Sequence, residues 1–145
     1  MPVNEQISIR FFFHNVQVRL MRRKKFKSLI LFLFQNEGKK LNSLDYIFCT
    51  DTFLLGLNRQ HLKHDYYTDI ITFDLTETKK IIGELYISID RIKENAPKFN
   101  TSIQDELYRV MIHGALHLCG FKDKTSRQKA EIRKKENFYL TKFYK

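Results

Sequence analysis

Apolar residues between positions 7 and 13 recur at every second residue, and this alternation predicts a β-strand with one buried face. Between positions 22 and 37 the apolar residues recur at intervals of three and four, which predicts an amphipathic helix. Gly38 follows that segment and is a typical helix stop. Residues 44–49 then predict a short second strand. The N-terminal part of the chain therefore predicts the order strand, helix, strand.

The middle of the chain predicts a helix followed by a pair of strands. Asp51 is the predicted N-cap of the helix. Residues 68–75 and 82–89 are rich in β-branched and aromatic side chains, and the short polar segment between them predicts an antiparallel hairpin. Asp90 is the predicted N-cap of a short third helix that Pro97 limits.

Two further helices complete the chain. Ser102 and Asp105 match the Ser-x-x-acid capping pattern at the start of a helix that continues to Leu118. Thr125, with Gln128 three residues later, marks the start of the last helix. The order β, α, β, α, β, β, α, α, α predicts an α+β fold, in which helices pack over a small mixed four-stranded sheet. A chain of 145 residues predicts a single domain.

The charge balance favours a polyanionic partner. The chain has 26 Lys and Arg against 16 Asp and Glu, a formal net charge of +10, and such an excess attracts nucleic acids and other anionic surfaces. Basic residues also solvate helix faces, so both interpretations stay open for the cluster at residues 22–27. The basic residues of the last helix are Arg127, Lys129, Arg133, Lys134 and Lys135. Glu131 and Glu136 partly neutralise them, which favours a solvated face over an RNA-binding surface.

The cysteine content and the length of the apolar runs predict a cytoplasmic protein. The chain has two cysteines, Cys49 and Cys119, and its first residues do not resemble a secretory signal. We therefore expect free thiols in a reducing compartment. The most apolar stretch, residues 29–34, is far shorter than the roughly 20 residues that cross a bilayer.

The most informative motif runs from His113 to Asp123, with the sequence His-Gly-Ala-Leu-His-Leu-Cys-Gly-Phe-Lys-Asp. In a helix, His113 and His117 lie one turn apart with Cβ atoms about 6 Å from each other, so both imidazoles can reach one cation. Gly120 permits a left-handed turn that can bring Asp123 back toward the same ion. Three protein ligands with an open fourth position are typical of catalytic zinc sites. We therefore predict one zinc ion per chain on His113, His117 and Asp123.

The two histidines also have an alternative interpretation as structural residues of the core. Two histidines four residues apart on an apolar helix also occur as hydrogen-bonded core residues, but the added glycine and carboxylate favour the metal site. Cys119 lies two residues beyond His117, about 200° around the helix. We therefore expect Cys119 to pack as a buried thiol and not to bind the ion.

Zinc held by three ligands lowers the pKa of its bound water toward about 7, so hydrolysis is the default chemistry of such a site. The spacing is also that of the metzincin peptidases, whose glutamate after the first histidine serves as general base. This chain has Gly114 at that position. Because the base is missing, peptide hydrolysis is disfavoured. A hydrolase of peptides or small phosphoesters stays open as a hypothesis that rests on the ligand geometry alone.

Longer motifs resemble those of the YbeY endoribonucleases, which are bacterial rRNA maturation factors. Residues 113–121 are similar to the family signature His-Gly-x-Leu-His-Leu-x-Gly-Tyr-Asp-His. Three more motifs resemble family blocks in the same order: Leu57-Asn58 with Asp65, Thr-Asp-Ile-Ile-Thr-Phe at residues 68–73, and Gly-Glu-Leu-Tyr-Ile at residues 83–87. The resemblance covers approximately residues 40–140.

The resemblance implies that residues 1–145 form a metal-dependent hydrolase domain, a single-strand-specific, zinc-dependent endoribonuclease. It implies a role in 16S rRNA 3′-end maturation and ribosome quality control, with single-stranded RNA, rRNA and ribosomal particles as partners. In such an enzyme a metal-activated water attacks a phosphodiester. No catalytic side chain is identified beyond that water. Thr68 and Asp69 in the upstream block either cap the strand or touch substrate.

Two positions depart from the family pattern. Asp123 stands where the family has a third histidine, and a carboxylate there adds a negative charge that makes the bound water less acidic. Leu62 aligns with a family arginine that faces the metal cleft. Arg59, Lys63 and His64 are nearby and are predicted to bind substrate in its place, although a solvated helix end explains them equally well. The alternative function is a non-catalytic ribosome assembly factor with a structural metal site.

Overall fold

The computed structural model describes residues 6–145. Its elements, in chain order, are β1 (Ser8–Phe13), α1 (Arg23–Asn36), β2 (Leu41–Cys49), α2 (Asp51–His61), β3 (Ile70–Asp74), β4 (Ile81–Ser88), α3 (Ile89–Lys98), α4 (Ile103–Leu118) and α5 (Ser126–Phe143). The order of element types is the predicted one, and the boundaries differ from the predicted ones by a few residues. Pro97 lies in the last turn of α3, which ends one residue later.

The four strands form one mixed sheet in the order β1-β2-β4-β3. β1 pairs with β2 and β2 pairs with β4 in parallel, whereas β3 and β4 form the predicted antiparallel hairpin. Ile70 at the start of β3 pairs with Ile87 near the end of β4. The beginning of β3 therefore lies at the same edge of the sheet as the carboxyl ends of the three parallel strands. This edge carries the candidate site.

The main hydrophobic core lies between one face of the sheet and the helices α1, α4 and α5. Alternate residues of the central strands, including Leu44, Tyr46, Leu85 and Ile87, are completely buried on this face. The Tyr46 hydroxyl donates a hydrogen bond of 2.9 Å to the carbonyl oxygen of Met111 in α4. The opposite face carries a smaller cluster formed with α2. The structure thus confirms an α+β domain with helices over a small mixed sheet.

Two predicted helix caps are wrong by one or two residues. Thr50 caps α2, and Ser88 caps α3 through a hydrogen bond of 3.2 Å from the backbone N–H of Arg91. Asp51 is instead the first residue of α2, where its carboxylate accepts a bond of 2.6 Å from the Ser88 hydroxyl. Asp90 accepts a bond of 2.8 Å from the backbone N–H of Asp51. Both carboxylates lie inside a first helical turn, where the helix dipole stabilises negative charge without a capping role.

The ends of α4 and α5 match the sequence prediction. The Ser102 hydroxyl accepts a hydrogen bond of 3.0 Å from the backbone N–H of Asp105. Gly120 follows the end of α4 with φ +103°, a left-handed conformation that favours glycine. Thr125 and Gln128 form a reciprocal capping box at the start of α5. The short segment between the two helices is therefore fixed at both of its ends.

Both cysteines are free thiols, as the sequence predicted. Cys49 and Cys119 are both buried and unbridged, and burial raises the pKa of each thiol to about 12. Such thiols are not reactive nucleophiles at neutral pH. Across residues 6–145, each helix is too short or too polar to cross a lipid bilayer.

Candidate metal centre

Three side-chain atoms converge where α4 ends and the following turn begins. The Nε2 atoms of His113 and His117 are 2.9 Å apart. Asp123 Oδ2 lies 3.2 Å from the first nitrogen and 3.3 Å from the second. We call these three atoms the donor triangle. A tetrahedral zinc ion with bonds of about 2.0–2.2 Å has ligand atoms roughly 3.3 Å apart, so the triangle has the size that one ion requires.

Hydrogen bonds fix the orientation of both imidazoles. His113 Nδ1 lies 2.6 Å from Glu136 Oε2, and His117 Nδ1 lies 2.8 Å from the carbonyl oxygen of Phe121. Because both partners accept hydrogen bonds, each Nδ1 carries a proton, and each Nε2 then has a lone pair for a metal. Metal-binding histidines almost always have such a carboxylate or carbonyl partner. The residues present therefore fit a divalent ion such as zinc.

Glu136 is a part of the site that the sequence analysis assigned wrongly. It was expected on a solvated helix face, but it is buried at 4% exposure and also accepts a bond of 3.0 Å from the Arg109 guanidinium. The reason is that α5 packs against α4 and turns this position toward His113. A signal was present in the sequence. Glu136 lies on the apolar stripe of α5, which comprises Ile132, Tyr139, Leu140 and Phe143.

Neighbouring charges and hydrogen bonds shift the pKa values of both His113 and Glu136. Burial lowers the pKa of His113, but the hydrogen bond and charge of Glu136, together with the charges of Asp123 and Asp69, outweigh burial, and its pKa is raised. Burial raises the pKa of Glu136, but the hydrogen bonds from His113 and Arg109 outweigh it, and its pKa is lowered. Glu136 is therefore held as a carboxylate, which makes the imidazole a stronger donor toward a metal.

Gly114 faces the sheet and not the donor triangle. A Cβ atom at this position would lie 2.7 Å from Ile70 Cδ1 and 2.7 Å from Leu85 Cδ2. In this fold, a side chain at the position that holds the general base in metzincin peptidases would have to displace Ile70 and Leu85 in the core. This packing agrees with the expectation from sequence that peptide hydrolysis is disfavoured.

A substitution at Gly114 tests the close packing of α4 on the sheet. We expect Gly114→Ala to lower the free energy of unfolding by about 1–3 kcal/mol, because the added methyl group overpacks the core. Gly56, in the middle of α2, is a matched control, since a Cβ there would meet nothing within 4 Å. Gly56→Ala should raise the free energy of unfolding by up to about 1 kcal/mol. Urea denaturation measures the free energy of unfolding of both variants. Equal stability of the two variants would contradict the close packing of α4 on the sheet at Gly114.

The donor triangle lies where two open cavities meet. The first, of about 570 Å³, lies between α4 and the segment that joins α2 to β3, and we call it the β3 cavity. The second, of about 320 Å³, lies between α3, α4 and α5, and we call it the α5 cavity. Asp69, His113 and Asp123 line both cavities. The donor atoms are therefore accessible from two sides.

Of the three residues predicted to bind substrate, His64 alone lines one of the two cavities. His64 lines the β3 cavity, where its Nδ1 lies 2.9 Å from the Tyr66 hydroxyl. Leu62, the residue that the sequence resemblance aligned with a family arginine, also lines this cavity. Arg59 lies outside the lining of both cavities and forms an ion pair with Asp65. Lys63 has a left-handed backbone with φ 54° and does not line either cavity. Substrate binding by these residues stays a prediction.

Thr68 and Asp69 both line the β3 cavity. The Thr68 hydroxyl donates a bond of 3.4 Å to the carbonyl oxygen of Ile70, which is a local turn contact. Burial raises the pKa of Asp69, and the nearby charge of His113 and two backbone N–H groups offset this rise only in part. Asp69 therefore brings a second carboxyl group, with an altered proton affinity, to the edge of the donor triangle.

The fold and the site together define an α+β domain with a candidate metal centre of two histidines and one aspartate in an open cleft. The profile of the family described as "Endoribonuclease YbeY" matches residues 12–144. The chain belongs to this family, as its motifs indicated.

Individual relatives show the same likeness. The chain is 46% identical to the protein named Endoribonuclease YbeY from Cytophaga hutchinsonii, over 92% of this chain and 94% of the relative. It is 43% identical to the protein of that name from Parabacteroides distasonis, over 90% of this chain and 92% of the relative. The solution structure of TM1509 from Thermotoga maritima is similar at a TM-score of 0.60 and 29% identity, covering 94% of this chain and 89% of that one.

Proposed function

We propose that this chain is a zinc-dependent endoribonuclease that cuts single-stranded RNA in 16S rRNA 3′-end maturation and ribosome quality control. The observation that carries the proposal is the donor triangle, with each imidazole Nδ1 tied to an acceptor and each Nε2 directed at a common point. Membership of a family described as endoribonucleases supports RNA as the substrate. The proposed partners are rRNA and ribosomal particles in the cytoplasm.

In this proposal His113, His117 and Asp123 hold one zinc ion. When bound, the ion supplies a Lewis acid for a phosphate oxygen and lowers the pKa of a coordinated water. Glu136 holds the His113 ring in the ligating tautomer, and the Phe121 carbonyl does the same for His117. The chain's own contribution is thus a rigid set of donors on one helix and the turn that follows it.

RNA hydrolysis also requires that a proton leave the attacking water. Asp69 is the carboxyl group of the cleft best suited to hold this proton at a side-chain oxygen. It lines both cavities beside His113, and its burial raises its pKa from the ordinary range of an exposed aspartate. A carboxyl group with a raised pKa is a better proton acceptor than an exposed one. We therefore assign Asp69 the role of general base.

The accessibility of the donor triangle favours catalysis over a purely structural metal. The side chains of His113, His117 and Asp123 are 22%, 25% and 41% exposed. Structural zinc sites are closed by four protein ligands, whereas catalytic sites keep an open position. Within residues 6–145, the cluster has three His, Cys or acidic members whose ligand atoms lie close together. A reachable ion with a free position is what a hydrolytic site requires.

The proposal is tested by RNA cleavage with the metal removed and restored. Purified protein is stripped with a chelator and incubated with an end-labelled single-stranded RNA, with the matching duplex, or with casein. We expect cleavage of the single strand when one equivalent of zinc is added, little cleavage of the duplex and none of casein. Failure of the zinc-loaded protein to cleave RNA, combined with unchanged ribosome binding, would instead support the assembly-factor alternative.

A further inference from the structure

The α5 cavity has a rim that the proposed chemistry does not use. Phe99, which follows α3, lines this cavity with 60% of its surface exposed, more than the other large apolar residues of the described chain. Lys129 and Arg133 line it from α5, four residues apart. Side chains at this spacing lie one above the other on the same helix face. An exposed aromatic ring and two cations therefore surround an opening that leads to His113 and Asp123.

The two cations of this rim are available to a ligand. Lys129 makes no side-chain hydrogen bond or ion pair with any residue in the described range 6–145. Arg133 Nε lies 3.9 Å from Glu136 Oε1, a long ion pair, and its side chain is 58% exposed. The neighbouring Arg109, by contrast, is engaged by Glu136 and Asn137 at 3.0 Å and 2.9 Å. Lys129 and Arg133 are thus the exposed and least engaged cations of the cavity.

The acidic groups on the floor of the cavity do not cancel this charge. Glu136 is paired with Arg109 and His113. Asp123 belongs to the donor triangle, where a bound divalent ion would compensate it. Asp69 and Glu106 also line the cavity. These acidic residues are buried or half-buried, whereas Lys129 and Arg133 are exposed. An anion that stays at the rim therefore meets mainly the two cations.

A flat ring beside cations is the arrangement that binds single-stranded nucleic acid, because bases stack on the ring while phosphates meet the positive charges. A volume of about 320 Å³ is at the small end of the range for pockets that hold one small molecule. A cavity of this size can hold one nucleotide. An acidic peptide would use the cations but would leave the exposed ring without a stacking partner.

We propose that the α5 cavity is a nucleotide subsite, in which the RNA base next to the cleaved bond stacks on Phe99 and its phosphate binds Lys129 and Arg133. This inference rests on the proposed function, since it takes RNA as the substrate of the donor triangle. It assigns a physical origin to single-strand preference. A base that is paired in a duplex must first unpair and unstack before it can reach the ring, and this step costs free energy.

Binding of an RNA analogue to the full-length, zinc-loaded protein tests this subsite. Fluorescence anisotropy with a short 2′-O-methyl single strand gives the dissociation constant, and a gel confirms that the strand stays intact. We expect Phe99→Ala to weaken binding about 5- to 100-fold, the usual range for loss of one stacked base. Phe99→Tyr should bind the strand as tightly as the wild type, because tyrosine keeps the aromatic ring. Phe138→Ala is the control, because Phe138 is an exposed ring of α5 outside the cavity lining.

The two cations are tested through the salt dependence of binding. Because both cations bind one phosphate in this proposal, removing them should reduce the slope of log Kd against log salt concentration by about 0.7, the value for one neutralised phosphate of a single strand. We expect this change in the double variant Lys129→Ala, Arg133→Ala. The charge-matched control is Arg127→Ala, Lys134→Ala, which changes two exposed residues of the same helix that lie outside the cavity lining. Its slope should stay close to that of the wild type.

The outcomes separate this inference from the proposed function. If the wild type cleaves RNA and the cavity variants behave like their controls, the subsite is wrong while the endonuclease proposal stands. If the wild type binds the strand through these residues but no metal supports cleavage, the subsite stands and the endonuclease proposal fails. If the wild type does not bind the strand at all, the subsite is overturned. Thermal denaturation of each variant verifies that its fold is intact.

Discussion

Replacing His113 and His117 together by alanine is expected to abolish both stoichiometric zinc binding and RNA cleavage. Their Nε2 atoms supply two corners of the donor triangle, and a lone aspartate on a surface turn does not retain the ion. Elemental analysis after dialysis should show about one zinc per wild-type chain and none in the variant. RNA cleavage, measured on the same preparations, should be lost in parallel.

Thermal denaturation gives this prediction a second readout that does not depend on activity. Zinc present at about 1,000 times its dissociation constant stabilises a folded protein by roughly 4 kcal/mol. For a chain of this size that corresponds to a rise in Tm of roughly 10 °C. The wild type should show this rise when zinc is added, and the double variant should not. The variant His14→Ala, His61→Ala removes two histidines outside the cluster and should bind zinc normally.

The result also separates catalysis from a structural role of the metal. If the double variant lost zinc and thermal stability while RNA cleavage by the preparation stayed unchanged, the cleavage would come from a contaminant or from another site. The endonuclease proposal for the donor triangle would then fall, and the assembly-factor alternative would be favoured. Retention of a full equivalent of zinc by the double variant would exclude His113 and His117 as the ligands.

Replacing Glu136 by glutamine is expected to weaken zinc binding by about 10- to 100-fold, the range reported for partners of ligating histidines. The substitution keeps the size of the side chain and an oxygen that can accept from His113 Nδ1 or Arg109. It removes the negative charge that raises the basicity of the imidazole. Competition with a chromophoric chelator measures the affinity without any need for turnover.

Glu131 offers a matched control on the same helix. It is exposed and lies outside the donor triangle, so Glu131→Gln makes the same chemical change without touching His113. Its zinc affinity should equal that of the wild type. Equal affinity of the Glu136 and Glu131 variants would show that the carboxylate of Glu136 does not support the ligand. Glu136 would then be a structural partner of Arg109 alone.

The sequence by itself predicted the elements and the cluster of candidate ligands because both depend on local geometry. Apolar periodicity follows from the repeat of a helix or a strand, so the order of elements and the antiparallel hairpin were predicted correctly. His113 and His117 are one helical turn apart, and Gly120 supplies the turn that brings Asp123 back to them. The eleven residues from His113 to Asp123 are enough to assemble the donor triangle. The two errors in N-cap prediction were small for the same reason. The observed caps Thr50 and Ser88 precede the predicted caps Asp51 and Asp90 by one and two residues.

Only the tertiary structure decided which remote residues surround those ligands. Glu136 reaches His113 because α5 packs back on α4, and Asp69 reaches the cleft because β3 joins the edge of the sheet beside β4. Phe99 lines the same cavity as Lys129 and Arg133 only because α3 and α5 both pack on α4. Spacing along the chain does not determine such contacts, because they depend on how whole elements bury their apolar faces against one another. The periodic pattern shows which face of an element is buried, and the packed fold determines what that face meets.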